Sequence, residues 1–428
     1  MHRLTIGAAV VVLAFAVAAT PAFATNGYFS HGYGTHYKGM AGAGAALSLN
    51  SMAPATNPAA LAFLGPRWDL GIGLFNPNRF YNVDGQPSGF PGTFGLTPGR
   101  VESDSRYFPI PHVGANFQAG ENGAFGVALY GNGGMNTTWP TETFYAGQPT
   151  GVDLSQMFAA PTYAVKLGEQ HALGITAIAA LQWFEARGVG SFAPFSSNPA
   201  NLSDNDASYS FGGGLRLGYL GNLSPYFSIG ASYQTKIWMS EFDEYSGLFA
   251  EQGDFDIPSN WVVGVAIKPT ENLDIVLDVQ QVRYSEVKSV SNPLLPALGM
   301  CGMGDASVCL GTAGGSGFGW ENMTTVKGGL QLRTEGGWSW RAGYSYGEQP
   351  IPDSEMLFNI LAPGVIEQHI TAGFSKAFGT QEFSLAIMRG LSKMISGPNS
   401  LEAPGQQTID LEMDQWELEI SWSFGIGR

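Results

Sequence analysis

The chain of 428 residues carries 35 acidic against 20 basic side chains, a net charge of −15, which argues against nucleic acid as a partner. Charged residues make up only 13% of it, where a soluble globular protein has about 25%, and aromatics reach 12%. Gly occurs 59 times, about twice its usual ~7% share, so an ordinary soluble domain is a poor description of this sequence.

Residues 1–24 read as a cleavable export leader: a basic start at His2 and Arg3, an apolar run over 4–19, and the small-x-small site Ala22, Phe23, Ala24. The alternative, an anchor, needs a longer span than this run offers. No later stretch is long and apolar enough for a membrane helix. Residues 25–66, which include "GMAGAGAAL", are rich in Gly, Ala, Asn and Pro and follow no structural period. Pro54 and Pro58 keep the segment out of a sheet, its small residues suit close packing, and its low charge disfavours a loose periplasmic tail.

From residue 67 onward the chain reads as strands separated by turn clusters. The runs are 67–80, 105–118, 123–135, 153–167, 171–187, 207–220, 224–238, 258–269, 272–287, 321–334, 338–349, 365–378, 381–396 and 410–426. In the ninth, Leu273, Ile275, Leu277 and Val279 oppose Asp274, Asp278 and Gln280; in the last, Trp416, Leu418, Ile420, Trp422 and Phe424 oppose Gln415, Glu417, Glu419, Ser421 and Ser423. Apolar residues toward lipid and polar ones toward a lumen give this alternation in a transmembrane β-barrel. Short and long connections also alternate, as between periplasmic turns and extracellular loops. The expected fold is therefore an all-β, antiparallel barrel of about fourteen strands over 67–428, its lumen plugged by a hatch at 25–66. Cys301 and Cys309 share one long loop and read as a loop disulfide; a metal site there would need further ligands, and that loop holds no His.

The beginning "NGYF…GMAGAGAAL…NPAAL", with Asn57, Pro58 and Ala59 as an Asn-Pro-Ala motif, resembles the hatch of the FadL-type outer-membrane transporters of long-chain fatty acids and other hydrophobic compounds. Two later blocks, 256–287 and 338–378, are similar to strands and loops of the same family. The resemblance implies passive transport of apolar molecules: capture between extracellular loops, an internal pocket beside the hatch, and lateral exit through a kink in the third strand. "GNGG" (Gly131, Asn132, Gly133, Gly134) is the candidate kink, because Gly permits a bulge and leaves pairing groups unfilled. Candidate capture residues are Phe192, Phe195, Phe242, Leu248 and Phe249 in the loops. The family's carboxylate-binding positions have no residue-by-residue match here; Arg187, Lys327 and Arg333 are candidates by lumen-facing phase, and aromatic hydrocarbons stand beside fatty acids as substrates. The expected partners are the hydrophobic ligand and outer-membrane lipid and lipopolysaccharide, with the chain a monomer and no cofactor or metal. The competing readings are a general porin, which would lack an N-terminal plug, and a barrel enzyme, for which no catalytic trio is legible.

Overall fold

A computed structural model describes residues 25–425, so the leader read at 1–24 lies outside the described residues. Fourteen long strands form the wall: β1 (Arg67–Asp84), β2 (Phe108–Ala119), β3 (Gly123–Trp139), β4 (Thr150–Leu167), β5 (His171–Arg187), β6 (Ser208–Ser224) and β7 (Phe227–Gln234). They continue with β8 (Asn260–Thr270), β9 (Leu273–Val282), β10 (Met323–Thr334), β11 (Trp338–Gly347), β12 (Gln368–Phe378), β13 (Gln381–Pro398) and β14 (Thr408–Phe424). Each pairs antiparallel with its sequence neighbours. β14 then returns to β1, with Thr408 opposite Asp84 and Phe424 opposite Trp68, so the barrel is closed and exposes no edge along that seam. Connections at one end are two or three residues long, and those at the other reach the length of 283–322.

Several strand ends depart from expectation; β1 runs on to Asp84 and β6 to Ser224, past 80 and 220. β3 does not stop at residue 135 but runs through the Gly cluster to Trp139. β7 stops at Gln234; the chain bulges and resumes as Trp238–Met239 against Gly213 and Gly212 of β6. β9 stops at Val282, where a 3-10 turn over Tyr284–Glu286 leads into the longest loop.

The wall reverses its polarity along its height. In the lower part of β14 the side chains of Trp416, Leu418, Ile420, Trp422 and Phe424 are exposed, while Gln415, Glu417, Glu419, Ser421 and Ser423 are buried in the lumen. Above that level Ile409, Leu411 and Met413 are buried, and Asp410, Glu412 and Asp414 take the outer face. β1 does the same: Leu70, Ile72 and Leu74 point outward with Asp69 inside, then Phe75, Tyr81 and Val83 point inward. Outer charges at the upper level pair with each other, as in Arg389–Asp414 at 2.5 Å and Arg100–Glu412 at 2.7 Å. The lipid-facing band therefore ends near Trp416 and Leu74. Above it, the strands carry an apolar interior out of the membrane.

Residues 25–66 fill the polar lower lumen. The backbone N–H groups of Gly44 and Ala45 donate to Asp278 on β9 (2.8 and 2.9 Å), Lys327 on β10 donates to the His31 carbonyl (2.9 Å), and Arg216 on β6 donates to the Pro54 carbonyl (2.9 Å). Lys38 is buried between Glu419 (2.8 Å) and Glu417, both on β14. Much of the remaining contact is Ala and Met against wall residues such as Ala124, Ala164, Ala172 and Ala266. Glycines of the wall mark where hatch backbone touches it. A Cβ at Gly343 would fall on Met40, and one at Gly230 on the carbonyl of Ala45.

The Lys38 contacts lead to a first prediction. Breaking a buried ion pair by removing one partner costs on the order of 3–5 kcal/mol, so Lys38→Met should loosen the hatch and raise ion conductance in planar bilayers. The barrel should remain heat-modifiable, and adding Glu417→Gln and Glu419→Gln should bring conductance back down. Unchanged conductance in Lys38→Met would show that these ions play no part in sealing the lumen.

Candidate functional site

The Asn-Pro-Ala motif is a cap and a cross-link at once. Asn57 Oδ1 accepts from the Ala59 N–H (3.1 Å), starting the 3-10 turn Pro58–Phe63, in which Pro58 needs no donor. Its Nδ2 donates to the carbonyls of Ala45 (2.7 Å) and Tyr219 (2.8 Å), tying two parts of the hatch to β6. Opposite, Gly218 leaves the room that Asn57 and Pro58 occupy.

The Gly cluster of β3 interrupts the wall. Between β2 and β3 the ladder runs from Ala119 opposite Gly123 to His112 opposite Tyr130, and there it stops. Beyond it β3 pairs only with β4, with a bulge at Asn132, while its other edge takes Phe29 of the hatch opposite Gly133; Gly134 N–H donates to the Tyr28 carbonyl (2.9 Å). Contact with the preceding chain resumes higher up, where Asp104 N–H donates to the Thr138 carbonyl (2.8 Å). On the other side of the break, Pro109 and Pro111 of β2 pair with β1 alone. Proline is tolerated where a strand has a free edge. These two prolines escaped the sequence reading, although a Pro-x-Pro inside a strand is a visible sign of missing ladder bonds.

The break sits at lipid depth. Pro111 and Pro109 lie opposite Ile72 and Leu74, two of the outward apolar residues of β1. Behind the break is a cleft of about 370 Å³, its open mouth included, lined by Phe75, Ile110, His112, Tyr130, Gly131, the carboxylates of Glu417 and Glu419, and hatch residues including Tyr33 and Lys38. The rings of Tyr33 and Tyr130, 4.9 Å apart, fill part of it. Asn132 is buried on the luminal side, accepting from Tyr33 Oη (2.8 Å) and donating to Gln156 (3.0 Å).

The loops above the membrane form an apolar pocket of about 470 Å³, its open mouth included. Phe192, Leu248 and Phe249 line it together with Phe184, Leu310, Phe318, Phe358 and Leu361. Phe242 supports it from behind, packed on Phe184 and Phe249, and Phe195 lies half-buried against the same cluster. Phe192, Leu248 and Phe249 thus meet in one pocket recessed between the loops, while Phe195 and Phe242 stand outside its lining. Phe358 and Leu361 come from the Pro-rich loop, where the run "MLFNILA" was an available signal; Phe318 lies in a Gly-rich stretch that gave none. Cys301 and Cys309 are disulfide-bonded, with Cα atoms 4.9 Å apart, in the loop that supplies Leu310.

No charged side chain lines this chamber among the described residues. Arg187 does not face the lumen: it shares the outer phase of Ile175 and Trp183, its side chain is 51% exposed, and it pairs with Glu185 (2.5 Å). The phase was misassigned because its neighbour Ala186 is the luminal residue. Arg333 is luminal but lies at the lower mouth, paired with Asp274 (2.5 Å). Lys327 is luminal and buried against the hatch. In the loops, burial and the neighbouring Asp256 push the Asp254 carboxyl up to about 7.

A closed fourteen-stranded barrel with a luminal plug and an apolar chamber outside it defines an outer-membrane channel of the hydrophobic-compound type. The chain belongs to the outer membrane protein transport protein family (OMPP1/FadL/TodX), whose model matches residues 10–382. Its fold is similar to that of the P. putida toluene transporter TodX, with 17% identity over 93% of this chain and 99% of that one and a TM-score of 0.69. A Pseudomonas aeruginosa FadL homologue matches at 15% identity over 94% and 100% of the two chains, TM-score 0.69. The Ralstonia pickettii toluene transporter TbuX matches at 18% identity over 93% and 99%, TM-score 0.62. Among curated proteins none matches by sequence.

The close approach of Gly133 to the hatch generates a second prediction. A Cβ there would fall on the Tyr28 carbonyl, so Gly133→Val should detach Phe29 from β3. Amide exchange over residues 27–30 should speed up by at least about tenfold, with residues 42–64 still protected. Unaltered exchange at 27–30 would mean that β3 does not hold the N-terminus.

Proposed function

We propose that this protein carries small, uncharged apolar compounds through the outer membrane, taking them into the loop chamber and releasing them sideways through the break between β2 and β3. The observation that carries the reading is the chamber lining, which is mostly aromatic and aliphatic, with Ser289 and Ser316 as its polar side chains and no charge. A carboxylate buried there would lose its hydration with no cation to replace it. This favours hydrocarbons over fatty acids, and the toluene transporters among the similar structures are consistent with it. The lateral route is supported by the level of the break, which opens beside outward Ile72 and Leu74. An apolar solute keeps roughly 0.8 kcal/mol per CH₂ by entering lipid in place of water. A general porin is disfavoured by the filled lumen, and the family is one of transporters and not enzymes.

Two measurements test this. Cells expressing the protein should take up toluene at least about tenfold faster than cells without it, and hexadecanoate should not compete; competition by hexadecanoate would restore the carboxylate. Filling the cleft with Ile110→Trp should reduce toluene uptake several-fold and leave binding to the purified protein intact. Wild-type uptake by a folded Ile110→Trp would rule out this exit.

A further inference from the structure

Three loops that wall the chamber meet at one dipeptide, Leu310–Gly311. The Leu310 N–H donates to the Phe195 carbonyl (2.9 Å), and the Leu310 carbonyl accepts from the N–H and Oγ of Ser197 (both 2.9 Å). The Gly311 carbonyl accepts from the N–H (2.8 Å) and Nε2 (2.6 Å) of Gln252, in the loop that also carries Leu248 and Phe249. Gly311 has φ +87°, and a Cβ there would lie 2.5 Å from the Ser246 carbonyl oxygen, so only Gly fits this junction. On the other side Cys309 is bonded to Cys301 at the end of the short helix Ala297–Gly302. Gly302 lies under the Phe195 ring, where a Cβ would come within 2.9 Å of Cε1.

This geometry separates the main chain of Leu310 from its side chain. The backbone is fixed by its hydrogen bonds to Phe195 and Ser197 in one loop, by those of the adjacent Gly311 to a second, and by the neighbouring disulfide, while the side chain, 1% exposed, points into the chamber as part of its lining. The aromatic lining residues are placed differently. Phe192 packs on Phe358 at 5.0 Å and on Phe94 at 5.3 Å, and Phe184 packs on Phe249 at 4.6 Å, so shortening any of them removes support from its neighbours. Leu310 is a lining position whose size can change with its scaffold in place.

We propose that Leu310 sets the size limit of the ligand the chamber accepts, and that the Cys301–Cys309 disulfide is the tether that holds it at that position. This rests on the reading that the chamber takes apolar compounds. Shortening the Leu310 side chain adds room at that wall of the chamber, and a larger side chain there takes room away.

The test compares toluene with naphthalene by equilibrium dialysis against purified, detergent-solubilised protein, corrected with protein-free detergent and with heat-modifiability confirming each fold. Leu310→Ala should shift the affinity ratio toward naphthalene by about tenfold and Leu310→Phe should shift it the other way, since one or a few carbons in an apolar pocket discriminate by about 10–200-fold. Leu357→Ala, equally buried but outside the lining, should leave the ratio alone. The double variant Cys301→Ser, Cys309→Ser should move the ratio part of the way toward that of Leu310→Ala. A ratio unmoved by both size changes overturns the assignment of Leu310, and one unmoved by the double Ser variant overturns the tether. If the unaltered protein binds neither hydrocarbon, the chamber reading itself falls and this inference with it.

Discussion

A β-strand has two faces, and each long strand of this wall crosses two environments outside while enclosing two different interiors. At membrane depth the outer face must be apolar, because lipid offers no partner for a polar group, and the inner face can be polar because the hatch supplies partners. Above the membrane, water lies outside, so the outer face becomes charged and the inner face becomes the place to bury apolar surface. The inversion on β14 between Gln415 and Asp414, and on β1 near Phe75, is how one continuous strand meets both demands. The polar hatch seat below and the apolar chamber above both follow from it.

The hatch shows what filling a polar lumen requires. Its irregular backbone has many N–H and C=O groups that need partners, and the wall provides them through Asp278, Lys327 and Arg216. Such contacts need backbone to approach backbone, which explains much of the unusual Gly content: Gly218, Gly230 and Gly343 face the hatch where a side chain would collide. The resulting plug is held by directional bonds and paired charges, which suit a seal. The chamber is held by ring packing and carries no charge in its lining, which suits a ligand without polar groups.

The break in the wall lies where these two regions meet. Its lower border is the His112–Tyr130 pair, and its outer surroundings are still the lipid-facing side chains of β1. The bulge at Asn132 shifts the register of β3 against β4, and the prolines of β2 remove donors from its free edge, both at the level where the β2–β3 pairing has ended. The hatch strand at Phe29 satisfies one of the groups left on β3, so the opening and the N-terminus of the hatch are joined by the same backbone bonds.

Much of the architecture was legible because it depends on local pattern. Alternation in "WELEISWSF", turn clusters at two spacings and a Gly-Ala segment barred from the sheet by Pro specified a fourteen-stranded, plugged barrel, and two Cys eight residues apart in one loop specified their own pairing. The site was legible only in part. Phe192, Leu248 and Phe249 stand out in the sequence as large apolar loop residues, but their meeting with Phe318, Phe358 and Leu361 brings together loops far apart in sequence, and no periodicity links them. Arg187 shows the other limit: a shift of one residue in phase exchanges lumen for exterior, and phase at a strand end is fixed by its neighbours across the sheet. The sequence by itself determined which residues could be strand, plug and loop, since period and turn chemistry act between near neighbours. The tertiary structure decided which face each end residue takes, where the ladder fails and which side chains enclose the chamber, because those depend on register and contact between segments hundreds of residues apart.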